Sequence, residues 1–156
     1  MTQREKTCCF TGHRSLDAAQ RAALAPVLAE TVERLADEGV IYFGAGGAVG
    51  FDTLAAQAVL QVRRRRPALR LILVLPCPGQ PHGWPARDAA VYRRIKAQAD
   101  KVVYVSPSYV PGCMQRRNRH LVDHSAVCVA HCEKATGGTA YTLDYARKRG
   151  LRVILV

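Results

Sequence analysis

Arg117 and Asn118, inside the run CMQRRNRHLVD from Cys113 to Asp123, carry the strongest chemical signal in this chain. At 100° per residue, Met114, Arg117, Asn118 and Leu121 share one helix face, while Arg116, Arg119 and Asp123 point the other way. A guanidinium on an apolar face is costly unless it meets a carboxylate or a ligand phosphate. Asp52 is the candidate internal partner, and a phosphate in a ligand the candidate external one. His120 and His124 stand four apart on the same helix, near Cys113 and Asp123. No glutamate or third fixed donor accompanies them, so no metal site and no cofactor is expected.

Three polar or glycine-bearing junctions add to that signal. FGAGGAVGFD, Phe43 to Asp52, follows an apolar run and opens a helix-like run; TGHR, Thr11 to Arg14, and ATGGT, Ala135 to Thr139, hold similar positions. Glycine allows close approach to the main chain, and the first turn of a helix offers unpaired N–H groups with partial positive charge. A phosphate suits such a junction. Thr11, Gly12, His13, Arg14, Gly46, Gly47, Gly50, Gly137, Gly138 and Thr139 are therefore candidate ligand contacts, with phosphate expected on the N–H groups around Gly46, Gly47, Gly137 and Gly138. Each junction taken alone is equally well read as a tight turn without a ligand. Asp52 either caps its helix or accepts hydrogen bonds from ribose hydroxyls. Trp84, in a loop with four prolines, either stacks on a base or packs that loop. The spacing misses the dinucleotide fingerprint, because Val49 stands where the third glycine belongs and no acidic residue ends the next strand. An ordinary NAD-dependent dehydrogenase is excluded.

These residues need a scaffold, and periodicity supplies one. Strands are expected at Lys6–Gly12, Val40–Phe43, Leu69–Pro76, Lys101–Ser106, Ala126–Cys132 and in the final LRVILV. Helices are expected at Asp17–Glu38, Phe51–Arg66, from the proline-rich loop to about Ala99, at Gly112–Asp123 and after Gly138. Asp17 with Gln20 resembles a capping box, Gly39 suits the position past the helix end, and Pro26 is expected to bend or split the helix. Strict β/α alternation forces parallel pairing, and right-handed crossovers wind helices onto both faces. The fold class is thus α/β, a doubly wound, mainly parallel six-stranded sheet in one domain spanning residues 1–156. The loops following the strands gather at one edge, where open α/β sheets hold ligands.

Composition narrows the partners. Lysines and arginines number 23 against 12 acidic residues, a net charge of +11 that attracts phosphorylated molecules or nucleic acid. The run Arg63 to Arg66 is read as a solvated helix end meeting the helix dipole rather than a nucleic-acid contact. Aromatic residues make up only 6%, which poorly supplies a stacking platform for single strands. No apolar run reaches 18 residues and the N-terminus lacks a signal peptide's apolar stretch, so a cytoplasmic protein without a membrane partner is expected. Its six cysteines are then free thiols.

Taken together, CCFTGHR, GGAVGFD, YVPGCMQRRNRHLVD and ATGGTAYTLDYA resemble the YpsA-like branch of the SLOG superfamily, which also contains the DprA proteins and the LOG cytokinin-activating enzymes. The resemblance runs from about Cys8 to Val156. It implies a Rossmann-like fold, a nucleotide or nucleotide derivative as ligand, contacts from the glycine loops, the Arg117–Asn118 pair and the GGT segment with Thr142, and a homodimer. The expected role is a sensor or regulator binding a nucleoside phosphate or an ADP-ribose-type molecule. LOG enzymes, by resemblance, suggest an alternative: cleavage of an N-glycosidic bond, with catalytic roles for Arg117, Asp144 and Asp52. Arg117 matches their arginine, but in PGGxGTxxE Thr136 replaces the proline and Ala140, Tyr141 and Asp144 fall on Gly, Thr and Glu. A shift of one residue instead puts Tyr145 on the glutamate. DprA suggests a further alternative, nucleic-acid binding.

Overall fold

The computed structural model describes residues 1–156. Six strands, β1 (Thr7–Gly12), β2 (Tyr42–Ala45), β3 (Arg70–Leu75), β4 (Lys101–Tyr104), β5 (Val127–His131) and β6 (Arg152–Leu155), alternate with five helices. These are α1 (Ala18–Asp37), α2 (Phe51–Arg63), α3 (Ala86–Gln98), α4 (Cys113–Asp123) and α5 (Gly138–Lys148). Every pairing is parallel and the spatial order is β4-β3-β2-β1-β5-β6. The sheet is doubly wound.

Alternation along the strands explains the two layers of core. Cys8, Phe10, Phe43, Leu71, Leu73, Leu75, Val127 and Val129 pack with α1, α2 and α3 on one face. Cys9, Val74, Cys128 and Ala130 pack with Leu121 and Val122 of α4 and Leu143 and Ala146 of α5 on the other. Both faces of β1 and β5 are therefore apolar, as central parallel strands require. Phe10 stacks on Phe43 at 6.2 Å and meets Phe51 edge-on at 6.5 Å, fixing the start of α2 against the sheet. All six cysteines are free.

Asp17 and Gln20 form the capping box, with Gln20 N–H donating to Asp17 Oδ1 at 2.8 Å and Asp17 N–H to Gln20 Oε1 at 2.9 Å. At the other end Gly39 N–H donates to Ala36 O and Val40 N–H to Leu35 O, closing α1 in a Schellman arrangement. α1 runs as one helix through Pro26, which lies on its exposed side, so the helix is not split there. One expectation about the strands needs correction. The second strand is Tyr42–Ala45, two residues later than expected, since Gly44 pairs with Ile72 and Cys9 within the sheet.

The strand order reverses between β1 and β5. After β1 the chain moves to the β2 side, and after β5 to the β6 side, so the two following loops part and leave a crevice.

Candidate functional site

A cleft of about 650 Å³ occupies this switch point. Thr11, Gly12, His13 and Arg14 wall it from the β1 loop, Asp52 from α2, Arg117 and Asn118 from α4, and Gly137, Gly138 and Thr139 from the start of α5. Ten residues singled out in the sequence from four separate segments thus line one cavity. Pro111, Gly112, Gln115, Tyr109 and Lys134 also line it and were not anticipated. The sequence did hold a signal for some of them: Val110-Pro111-Gly112 sits at the strand-to-helix junction before α4, the position the other candidate loops occupy.

Two helices open onto the cleft without side-chain caps. Gly112 is the N-cap of α4 and Gly137 that of α5, and neither supplies a side-chain hydrogen bond to the first turn. Their leading N–H groups and dipole ends favour an anion. An added Cβ on Gly138 would meet no atom within 4 Å, so protein packing does not explain that glycine.

The FGAGGAVGFD loop behaves differently. A Cβ on Gly46 would lie 2.5 Å from Arg117 Nη1, and one on Gly50 would collide with the Arg14 carbonyl. Bare backbone here lets Arg117 and the β1 loop approach, which is what fixes two walls of the cleft. Two of the loop's donors are occupied: Phe51 N–H donates to His13 O at 3.1 Å and Ala48 N–H to Asp52 Oδ2 at 3.2 Å. Gly46, Gly47 and Gly50 lie outside the lining of this cleft. Gly46 is buried, and Gly47 lies against Leu75, Gln80 and Tyr92.

Arg117 is only 3% exposed. Its Nη1 donates to Gly46 O and its Nε to Asn118 Oδ1 at 2.7 Å. Asp52, 9% exposed, gives its Oδ2 to the Ala48 N–H instead of to the guanidinium. Asp52 is thus not a direct partner of Arg117 but acts at longer range. Burial lowers the Arg117 pKa while the Asp52 charge opposes this, and burial raises the Asp52 pKa while Arg117 and the Ala48 N–H oppose it. A buried cation held mainly by neutral acceptors leaves unbalanced positive potential for an anion.

His13 does not present a cation. Its Nε2 accepts from Glu133 N–H at 2.8 Å, which requires the unprotonated ring, and its pKa is lowered by burial, then by His131 and Lys134. Gln20 Nε2 donates to Glu133 Oε2 at 3.2 Å, so Glu133 straps the β5 loop to the β1 side. His131 stacks on Phe51 at 6.1 Å and its Nδ1 lies 3.0 Å from Val156 O. The strap links the loop after β5 to the loop after β1 and the start of α1.

Three sequence candidates lie elsewhere. Thr142 is buried and donates to Gly138 O at 2.8 Å, which supports the α5 turn from behind. Asp144 sits on an outer groove with Tyr141 and Arg147 and pairs with Lys148 at 3.0 Å. It does not share the cleft with Arg117. Trp84 lies in a neighbouring groove of about 670 Å³, edge-on to Tyr92 at 5.4 Å. Of the Arg63–Arg66 run, three members are held by acids: Arg63 by Asp100, Arg65 by Glu33, and Arg66 by Glu33 and Asp37. His120 and His124 stack at 4.1 Å, and no group of three metal-ligating side chains occurs. No helix is long and apolar enough to cross a membrane.

The sheet order and switch-point cleft define a Rossmann-like domain of the kind found in the SLOG and DprA proteins. The chain belongs to the YspA SLOG family (YpsA), whose model matches residues 8–152. It is 29% identical over 134 residues to the SPbeta prophage-derived protein YoqJ of Bacillus subtilis, covering 78% of each chain. A UPF0398 protein of Halalkalibacterium halodurans is 28% identical over 140 residues, covering 88% of this chain and 71% of the relative. Among solved structures, DNA processing protein A of Helicobacter pylori, described for its single-stranded DNA binding mode, superposes with a TM-score of 0.68 at 20% identity, covering 96% of this chain and 64% of that one. DprA of Streptococcus pneumoniae superposes with a TM-score of 0.69 at 17% identity, covering 98% and 50%. This chain therefore spans between half and two thirds of those DprA chains, and the likeness is one of fold.

Proposed function

We propose that the cleft binds a nucleotide unit, its phosphate lying on the N–H groups that open α4 and α5 and facing the Arg117 charge. The observation that carries this reading is the convergence of two uncapped helix starts and a buried, under-compensated guanidinium on one cavity. Asp52, the one carboxyl lining the cleft, suits ribose hydroxyls through the oxygen not given to Ala48. The role that follows is a sensor or regulator.

The nucleotide unit has two sources, a free nucleotide derivative or a nucleic-acid strand. The likeness to a single-stranded DNA-binding DprA and the net charge of +11 favour the strand. N-glycosidic cleavage finds less support, because Asp144 pairs with Lys148 outside the cleft and leaves Asp52 as the only acid lining it. Calorimetry of the folded chain with AMP, ADP, ADP-ribose, NAD and a thymidine oligonucleotide tests the reading. Saturable binding of at least one supports it, and a salt-sensitive preference for the oligonucleotide selects the strand. Failure of all five to bind removes it.

A further inference from the structure

The cleft and the Trp84 groove are contiguous. Arg14, Ala48, Tyr109 and Met114 belong to the walls of both. Each compartment, about 650 Å³ and about 670 Å³, already lies within the roughly 300–1,000 Å³ that holds one small molecule. Because they adjoin, a ligand longer than one nucleotide can span both.

Their chemistry differs in a complementary way. The first compartment offers N–H groups and cations. The second offers Trp84, Tyr109, Met114, Val49 and Pro76, surfaces suited to a base and sugar. Tyr109 is 71% exposed and stands at the junction. Gln80, in the groove wall, donates from Nε2 to Gly46 O at 3.1 Å, the same carbonyl that receives Arg117, so one main-chain atom fixes both compartments in register. Arg14 is exposed and forms no ion pair, and its position is set where the β1 loop lies against Gly50. A free guanidinium between a phosphate cradle and an aromatic groove suits a linking phosphate.

We infer that the site takes two successive nucleotides of a single strand, one phosphate in the switch-point cleft, the next base against Trp84 and Tyr109, and the linking phosphodiester on Arg14. This rests on the nucleotide reading above and specifies its footprint. Exposed rim residues Tyr109, Gly112 and Lys134 leave room for the chain to continue.

The test compares thymidine 5′-monophosphate, the 5′-phosphorylated thymidine dinucleotide, a thymidine dodecamer and NAD by calorimetry, with emission from Trp84, the sole tryptophan, as a second readout. The dinucleotide is expected to bind at least thirtyfold more tightly than the mononucleotide and to change Trp84 emission. Arg14→Ala and Tyr109→Ala, both at exposed positions with the fold checked by circular dichroism, are expected to cut that ratio at least fivefold, the lower end of one base–aromatic stack. Dinucleotide binding no tighter than mononucleotide overturns the inference and leaves the nucleotide reading standing. NAD binding as tightly as the dinucleotide also overturns it, in favour of a pyrophosphate-linked small molecule. No binding by any probe removes both.

Discussion

Alanine at Gly138 and at Gly46 should have opposite signatures, and the pair separates a ligand loop from a packing loop. At Gly138 the new Cβ meets nothing within 4 Å and the backbone is an ordinary helical start. Replacing glycine at a compatible position stabilises by about 0.4–1 kcal/mol through the unfolded chain. With about 2–4 °C per kcal/mol for a chain of this size, Gly138→Ala should melt roughly 1–4 °C higher. Its methyl group nevertheless borders the proposed phosphate position, and nucleotide affinity should fall about tenfold, or about 1.4 kcal/mol. At Gly46 the Cβ would lie 2.5 Å from Arg117 Nη1, inside van der Waals contact with a buried group. Overpacking of that kind costs about 1–3 kcal/mol, so Gly46→Ala should melt lower and also lose affinity as Arg117 is displaced. Differential scanning calorimetry and binding titrations on both variants read the two effects separately. Unchanged affinity in a fully folded Gly138→Ala protein would refute the reasoning, because the open glycine would then be no more than a turn.

Other outcomes follow from the same geometry. Arg117→Met should change stability by less than about 2 kcal/mol, since an apolar side chain of similar length removes a desolvated charge, yet should reduce nucleotide affinity at least tenfold; unchanged affinity would separate Arg117 from the ligand. Asp144→Asn should leave nucleotide affinity within twofold and stability within about 0.5 kcal/mol, because its ion pair with Lys148 is exposed, whereas Asp52→Asn should alter affinity for ribose-containing ligands; the reverse pattern in titrations contradicts the placement. The His13 pKa is lowered in the fold, so its contribution is present above the unfolded value near 6.5 and is lost as pH falls through the folded value. Urea unfolding between pH 7.5 and 5 should therefore show a steeper loss of stability in the wild type than in His13→Gln, and parallel curves would exclude the His13–Glu133 strap as its source.

Much of the scaffold was readable because apolar periodicity and caps are local. Asp17 with Gln20, Gly39, and the alternating strands each announce themselves within a few residues. Arg117 was readable as buried for the same reason, since the α4 pattern places it beside Leu121. What the glycine loop does was not readable. Glycine is required both where a ligand approaches and where a side chain does, and the partners of Gly46 and Gly50 lie 71 and 36 positions away along the chain, at Arg117 and Arg14. The His13–Glu133 strap joins residues 120 apart and leaves no local trace. Tyr109 enters the cleft only through the turn ahead of α4. Asp144 looked near the site because α5 starts there, but it falls on the turn of the helix that faces away from the cleft, where Lys148 takes it.

The measurement that bears most directly on the central claim is a nitrogen–proton correlation titration of the chain with a nucleoside monophosphate and a short thymidine oligonucleotide. The account predicts saturable shifts concentrated at the amides of Gly138, Thr139, Met114 and Gln115 and at the Arg117 Nε–H, while Gly46 and Gly47 respond weakly. Saturation with those amides unmoved, or shifts confined to another surface, contradicts it.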